Sequence, residues 1–351
     1  MNYLAVLGRQ PEISIAELEA TDFCTDIDRL GGTQKLAIEL EAKPLDFLRN
    51  LPEGKITLGV SDYSQKASRK TAAIEALKLK KILARHGRSV RVVENKEAVL
   101  STATSLHNGL SGKNERKVEL IKVEDKWYKV IGVQDIDAYS KRDQARPARD
   151  AKVGMLPPKL AQILINLCGP LKSNARILDP FCGTGVVLQE ALLMGYQAYG
   201  TDISERMIDY SKRNLEWLTA HNQNNKLFQA QQGDATSFTW QGPIDAVACE
   251  GYLGKPMSLT PPEIKLKTEK QECSNIILGF LKNLASQIKP GTPVVIACPA
   301  WLRENNTYSR LEILDEIENL GYNVNNKSRE GLLYHRDGQI VARDIIILRK
   351  K

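Results

Sequence analysis

Residues that could bind a nucleoside follow a predicted strand in the second half of the chain. The segment Asp179–Gly185 reads DPFCGTG, comes directly after the apolar pair Ile177-Leu178 and opens a predicted helix. Gly183 and Gly185 permit a tight turn that lets a ligand approach the backbone, and the N–H groups at the helix start favour a carboxylate. The spacing differs from the G-x-G-x-x-G of a pyrophosphate binder, which disfavours a dinucleotide.

Two further strand ends carry aspartates in the order that a nucleoside site needs. Asp202 ends the next strand, AYGTD, where a carboxylate can accept hydrogen bonds from both ribose hydroxyls. Asp234, in the GDA sequence after the third strand, can reach an adenine amino group, although either aspartate alone could simply cap a helix. Together the three ends predict a pocket for a nucleoside that carries a carboxylate. The predicted ligand contacts are Asp179, Pro180, Phe181, Gly183, Gly185, Asp202, Ile203, Asp234 and Ala235.

A fourth strand ends in Cys249-Glu250-Gly251-Tyr252, which adds a thiol, a carboxylate and an aromatic ring beside this pocket. Glu250 can accept hydrogen bonds from an amine, because Gly251 relaxes the backbone, and Tyr252 can stack on a flat ring. The candidate catalytic residues are therefore Glu250, Tyr252 and Cys249. Glu250 is the expected hydrogen-bond acceptor for the amine, and a role for Cys249 as a nucleophile is disfavoured. A site that relies on backbone carbonyls, binding without turnover, and a core position for Tyr252 remain open.

The elements that must position these residues alternate between strand and helix. The strand patterns are ARILDP, QAYGTDI, KLFQAQQGDA, DAVACE and TPVVIACPA, and the helix patterns are PKLAQILINLC, VVLQEALLMG, MIDYSKRNLEWL, a stretch around Asn275–Ile288, and LEILDEIENLG. LLYHRDGQIVARDIIIL predicts a closing antiparallel strand pair. This alternation predicts an α/β fold, a doubly wound, Rossmann-like and mainly parallel sheet with helices on both faces. We expect two domains, residues 1–145 and 146–351.

The first half predicts a mixed α+β unit. Its strand patterns are YLAVL, KLAIEL, KITLGV, SVRVVE, VELIKVE and WYKVIGVQ. Ser14 is the predicted cap of a first helix, and a long amphipathic helix is expected from about Lys70 to His86, where Gly87 would end it.

Composition limits the class of protein. The chain has 351 residues, a net charge of +7 and six scattered cysteines without a C-x-x-C pair, which argues against a zinc ribbon or a disulfide framework, and we predict no metal. There is no apolar run of about 18 residues and no leader pattern at the N-terminus, so we expect a cytoplasmic protein without a membrane segment.

A basic connector, KRDQARPARDAK at Lys141–Lys152, joins the two halves with five basic residues against two acidic ones. It could be a solvated linker, but an arginine-rich connector is also a plausible surface for phosphates. The predicted RNA contacts are Lys141, Arg142, Arg146 and Arg149.

The DPFCGTG turn, Asp202 and the GDA sequence resemble motifs of the class I S-adenosylmethionine-dependent methyltransferases. GMLPPKLAQILINL at Gly154–Leu167 and the connector resemble the THUMP-associated tRNA methyltransferases, in particular the guanosine-10 N2-methyltransferase group. NYLAVLGRQPEISIAELEA, RLGGTQKLA and YHRDGQIVARDIIIL resemble the same group, so the resemblance covers nearly the whole chain.

This resemblance implies methyl transfer from S-adenosylmethionine to the N2 amine of a guanosine in tRNA, with position 10 expected. It also implies that the front half contains a ferredoxin-like unit and a THUMP domain that docks the acceptor end of tRNA. The group usually carries Asp-Pro-Pro-Tyr where this chain has CEGY. That departure leaves two alternatives: an amino-methyltransferase acting on rRNA or DNA, and a non-catalytic RNA-binding protein with a degenerate motif.

Overall fold

The computed structural model describes residues 1–150, 155–220, 228–257, 259–326 and 331–351. These residues divide into two compact units, Met1–Arg9 with Cys24–Ala138 and Gln10–Phe23 with Tyr139–Lys351. The division therefore falls earlier than residue 145, and helix α1 (Pro11–Ala20) belongs to the second unit although it lies near the start of the chain. Residues 151–154, which include the end of the basic connector and the start of the GMLPPKLAQILINL segment, lie outside the described residues.

The first unit is a mixed α+β structure with one six-stranded sheet among its described residues. The strand order is β1-β2-β6-β5-β3-β4, with β3 parallel to β4 and β5 and the other pairs antiparallel. The strands are β1 (Tyr3–Leu7), β2 (Thr33–Glu39), β3 (Ile56–Asp62), β4 (Val90–Val92), β5 (Lys117–Val123) and β6 (Lys126–Val133), and the helices are α2 (Pro44–Arg49), α3 (Arg69–Arg85) and α4 (Thr102–His107).

Two predicted helix signals of the N-terminal region had different outcomes. The long helix is confirmed as α3, which begins with a capping box at Ser68 and is followed by Gly87 at a φ of +78°. The predicted cap at Ser14 is wrong, because α1 begins earlier, at Pro11, with Gln10 as the N-cap. Proline suits the first helical position since its missing N–H would be unpaired there in any case.

The second unit has the predicted doubly wound architecture. Its sheet has the order β13-β15-β11-β10-β7-β8-β9, and the strands from β11 to β9 run parallel, whereas β15 is antiparallel to β11 and β13. The strands are β7 (Arg176–Asp179), β8 (Gln197–Asp202), β9 (Phe228–Gln232), β10 (Ala246–Glu250), β11 (Pro293–Leu302), β12 (Tyr308–Arg310), β13 (Tyr322–Val324), β14 (Leu333–Tyr334) and β15 (Val341–Lys350). The helices are α5 (Ile136–Gln144), α6 (Pro158–Asn166), α7 (Val186–Leu193), α8 (Glu205–Thr219), α9 (Glu263–Ala285) and α10 (Leu314–Asn319).

The C-terminal elements follow the prediction with one correction. The expected antiparallel closing pair is present as β14 and β15, with Leu333 opposite Asp344. Helix α9, however, begins at Glu263 and not near Asn275. Its first half was missed because the buried stripe of this helix contains the carboxyl residue Glu269, which interrupts the apolar periodicity.

Strand β10 lies between two cores. Ala246 and Ala248 pack with the buried residues of α6 on one face, while Val247 and Cys249 pack with those of α9 on the other. Strand β7 pairs with β10 on one side and β8 on the other, so the strand order reverses here and the carboxyl ends of three parallel strands meet at one edge. Within the described residues, no helix has the length and apolar character needed to cross a membrane.

Candidate functional site

The glycine-rich turn begins at a buried carboxyl group. Asp179 ends β7 with 3% of its surface exposed, and its Oδ1 accepts the backbone N–H of Phe181 at 3.1 Å. Burial raises the pKa of Asp179 well above its ordinary value, and the nearby carboxylates Asp202 and Glu250 raise it further, against the hydrogen bond from Phe181. The Asp179 side chain therefore shapes the turn and holds it against the end of β7.

Both glycines of the turn adopt left-handed backbone conformations. Gly183 has a φ of +51° and Gly185, the N-cap of α7, has a φ of +82°. A Cβ at Gly185 would lie 2.9 Å from Ser211 Oγ, so a side chain does not fit there. At Gly183 the nearest atom would be a carbonyl oxygen at 3.9 Å, which leaves this stretch of backbone open to a ligand.

Asp202 ties the glycine-rich turn to the end of β8. Its Oδ2 accepts the N–H of Gly183 and its Oδ1 accepts the N–H of Ser204, both at 2.9 Å. Burial raises the pKa of Asp202, whereas these two hydrogen bonds lower it. Each carboxylate oxygen still has a second lone pair, and the next residue, Ile203, exposes 70% of its surface. The strand end thus offers two hydrogen-bond acceptors beside an apolar side chain.

The GDA sequence places one acidic group at the surface and one small residue in the core. Asp234 Oδ1 accepts the N–H of Thr236 at 2.9 Å and its hydroxyl at 2.8 Å, so this carboxylate caps its own turn. Ala235 is only 5% exposed and packs in the core that contains α9. Asp234 therefore caps a turn and not a helix, and its contact with an adenine stays a prediction.

Cys249 lies in the core and not at the edge of the sheet. Its side chain is fully buried among the residues that pack between β10 and α9. Burial raises the pKa of this thiol well above its ordinary value, with a smaller contribution from Asp179, so the thiol is neutral. A buried neutral thiol is neither a good acceptor nor a nucleophile, which argues against a catalytic role for Cys249.

Glu250 ends β10 and forms an ion pair that sequence reasoning missed. Its side chain is 15% exposed, and its Oε1 accepts the Nε–H of Arg343 at 2.8 Å. Burial raises the pKa of Glu250, and the Arg343 guanidinium opposes that rise. The two residues are 93 positions apart, so no local pattern in the sequence could have paired them.

Tyr252 is tethered to helix α9. Its hydroxyl donates to Oε1 of Glu272 at 3.3 Å, and its ring packs partly against the core below. Burial, followed by the neighbouring carboxylate of Glu272, raises the pKa of Tyr252 to about 12. The sequence left open a core position or a stacking role for Tyr252. The ring fits both, since one part is packed and the remainder is accessible.

The basic connector is more structured than its composition suggests. Arg142, in the last turn of α5, donates to both oxygens of Glu190 on α7 at 2.7 and 3.2 Å. Arg146 is only 3% exposed and its Nη2 contacts Met155 Sδ at 3.3 Å. Two of the four predicted RNA contacts thus point into the unit, because Arg142 is paired with Glu190 and Arg146 is buried. Lys141 and Arg149 remain exposed to solvent.

Asn214 on α8 is a second residue that the sequence did not single out. Its Nδ2 donates to the carbonyl oxygens of Ala148 and Thr184, and its Oδ1 accepts the N–H of Ala148, all at 2.9 Å. One side chain therefore fastens the connector to the glycine-rich turn. Among the described residues, no group of three or more His, Cys, Asp or Glu side chains could hold a metal ion.

Comparison with known proteins shows what the middle of the chain is similar to. Residues 146–269 match a family model described as RMKL-like, methyltransferase domain. The tRNA (guanine(10)-N2)-dimethyltransferase of Methanothermobacter thermautotrophicus is 32% identical over 162 residues, which are 46% of this chain and 44% of the relative. The enzyme of the same name from Pyrococcus abyssi is 37% identical over 107 residues, which are 30% of each chain.

A solved structure, TrmN from Thermus thermophilus, aligns with a TM-score of 0.46 and 17% identity over 91% of this chain and 84% of that one. The matches to the two curated relatives span less than half of those proteins' own lengths. Residues 146–269, which contain the glycine-rich turn, Asp202 and Glu250, are therefore similar to methyltransferase domains of the RMKL-like type.

Proposed function

We propose that this protein transfers a methyl group from S-adenosylmethionine to the exocyclic N2 amine of a guanosine in tRNA, with position 10 as the expected site. One observation carries the proposal, and it is the arrangement at the carboxyl ends of the parallel strands. Asp202 at the end of β8 holds the glycine-rich turn, and Glu250 ends β10 on the other side of β7. The names of the two curated relatives support the choice of guanine N2 and tRNA.

The residues at the edge fit the methyl donor. The open backbone at Gly183 can receive the amino-acid tail of the donor. The free lone pairs of Asp202 can accept hydrogen bonds from its ribose hydroxyls, and the exposed Ile203 can pack against a face of its adenine. Asp234 is the proposed partner of the adenine amine. When bound, the cofactor supplies an activated methyl group on its sulfonium, so the protein has to bind and orient rather than activate the donor.

The main chemical difficulty lies with the acceptor. The lone pair of the guanine amine is delocalised into the ring, so the amine attacks poorly unless it is held in line and its developing positive charge is stabilised. Glu250 can do both, because one oxygen is held by Arg343 and Oε2 has no hydrogen-bond partner among the described residues. The accessible part of Tyr252 can stack on the flipped base. The raised pKa of Glu250 also suits it to receive the proton that the methylated amine releases.

The first unit is the proposed RNA-docking part of the molecule. Its α+β sheet is compatible with the ferredoxin-like and THUMP assignment, in which this region holds the acceptor end of tRNA. Lys141 and Arg149, the exposed members of the connector, are the proposed phosphate contacts. We propose the cytoplasm as the place where this tRNA substrate is modified.

The proposal is tested by incubating the purified full chain with isotope-labelled S-adenosylmethionine and unmodified tRNA, rRNA or duplex DNA, followed by nucleoside chromatography. We expect label in N2-methylguanosine or its dimethyl form from tRNA alone. Glu250→Gln should lower the rate strongly and leave donor binding nearly unchanged. Label in rRNA or DNA would support the rival substrates, and donor or RNA binding without any transfer would support the non-catalytic alternative.

A further inference from the structure

The ion pair between Glu250 and Arg343 spans an intervening strand. Arg343 lies on β15, Glu250 ends β10, and β11 runs between them. The register sets Ala297 beside Glu250 and Pro299 beside Arg343. Because side chains alternate along a strand, Glu250, Ala297 and Arg343 lie on the same face of the sheet. The short side chain of Ala297 leaves the long guanidinium arm room to cross.

Arg343 is built into this position. It is 5% exposed, its Nε donates to Glu250 at 2.8 Å, and its Nη1 lies 3.5 Å from Oε1 of Gln339 in the turn before β15. A buried guanidinium is costly unless it faces an anion, and breaking such a pair is more costly still. The pair therefore fixes both side chains in one arrangement at the carboxyl end of β10.

Burial is the reason that Glu250 needs a cation beside it, since burial is the main cause that raises its pKa. From β7 the buried carboxyl of Asp179 faces it, and on its own strand the neutral thiol of Cys249 lies on the opposite side. Among the described residues, Arg343 is the cation whose charge and hydrogen bond act on Glu250. Without Arg343, burial alone would act on this 15% exposed carboxyl, so Glu250 would take up a proton at higher pH and lose its value as an acceptor.

We propose that Arg343 is the positioning residue for the methyl-accepting amine: it holds one oxygen of Glu250 and thereby directs the other oxygen to the guanine N2. This inference rests on the proposed function for its substrate. It also explains how CEGY can replace Asp-Pro-Pro-Tyr, since rigidity that two prolines would provide is supplied by an ion pair from a distant strand.

The test compares Arg343→Met, which removes the charge and the donors, with Arg343→Gln, which keeps a donor, in the full chain. Arg336→Met is the matched control because it removes the same charge from an exposed position on the same hairpin. We expect Arg343→Met to lower kcat on the order of 10²-fold, since a small misplacement of a reacting group has this effect. The donor Kd should stay within about threefold of wild type, well below the tenfold that 1.4 kcal/mol represents.

A double-mutant cycle separates positioning from a general structural defect. If Arg343 acts only through Glu250, adding Arg343→Met to Glu250→Gln should cause no further loss of kcat. The acid limb of the kcat profile should also move to higher pH in Arg343→Met, because Glu250 then holds its proton to higher pH. Additive losses in the cycle, or an acid limb that does not move, would overturn the proposal.

A readout that needs no activity keeps this proposal separate from the proposed function. The carboxyl carbon of Glu250, labelled with ¹³C and assigned through Glu250→Gln, should titrate at a higher pH in Arg343→Met than in wild type, because the opposing guanidinium is gone. An inactive wild type with this difference would defeat the proposed function and leave the ion pair supported. An unchanged titration midpoint in Arg343→Met would overturn the proposed role of Arg343. If the methionine variant does not fold, the same titration is made with Arg343→Gln.

Discussion

The two backbone hydrogen bonds of Asp202 allow the effect of a conservative substitution to be worked out. Its oxygens each accept one N–H group, from Gly183 and Ser204, at 2.9 Å. Asp202→Asn leaves one acceptor oxygen, so one of these N–H groups would face an amide NH₂. One ribose hydroxyl would lose its charged acceptor at the same time. A hydrogen bond to a charged group contributes about 1.5–3 kcal/mol.

We therefore expect the Kd of S-adenosylmethionine to rise about 10- to 100-fold in Asp202→Asn, at ~1.4 kcal/mol for each factor of ten. Asp202→Ala removes both acceptors and should weaken binding by about 10²- to 10⁴-fold on the same arithmetic. Isothermal titration calorimetry with S-adenosylmethionine or S-adenosylhomocysteine measures both.

Asp209→Asn is the matched control, because Asp209 lies on the following helix with its side chain 63% exposed. Its affinity should equal that of wild type. If Asp202→Asn binds the donor as tightly as the control does, the assignment of the ribose to the end of β8 is refuted.

Three further predictions concern stability, stacking and RNA binding. Lys35 forms a buried ion pair with Glu119 at 2.6 Å, with side-chain exposures of 1% and 0%. Lys35→Met should therefore lower the free energy of unfolding, measured in a urea titration, by about 3–5 kcal/mol. A loss below about 1 kcal/mol would contradict this. Tyr252→Phe should keep kcat and KM for tRNA near wild type, whereas Tyr252→Ala should raise KM by about 10- to 100-fold through lost base stacking, and equal effects would argue against stacking. Reversing Lys141 and Arg149 to Glu should weaken tRNA binding and reduce the salt slope of log Kd by about one or two in filter binding; an unaltered slope would return the connector to a linker.

The sequence predicted the parts of the site that depend on local pattern. The glycine-rich turn follows its strand at Asp179, and Asp202 and Glu250 end theirs, as expected from apolar runs that stop at polar residues. A parallel sheet then brings these ends to one edge regardless of the loops between them.

Long-range pairing of charged residues could not be predicted. Arg142 has the composition of a solvated linker, yet its guanidinium lies against Glu190 on α7, 48 positions away. Glu269 looks like a surface residue of a charged helix, but it is 3% exposed and accepts the backbone N–H of Lys255. Such burial follows from which elements meet in three dimensions, and a single sequence carries no periodic signal for it.

Cys249 is the opposite case, a residue that the sequence placed at the site and that lies in the core. Beside Glu250 in the sequence, it stands where the group that this chain resembles usually carries an aspartate. Strand alternation, however, sends its side chain into the core below α9. Val247 and Cys249 are two positions apart, so they lie on the same face of the strand. The direction of the Cys249 side chain could have been inferred from this, but only once the ends of β10 were known.

Mass spectrometry of tRNA nucleosides tests the central claim most directly. tRNA would be purified from cells that contain this protein, from cells that lack it, and from cells that carry the Glu250→Gln variant. Our account predicts that N2-methylguanosine or its dimethyl form at one tRNA position is present with the wild type and lost in the other two. Unchanged N2-methylation of guanosine in cells without the protein would contradict it.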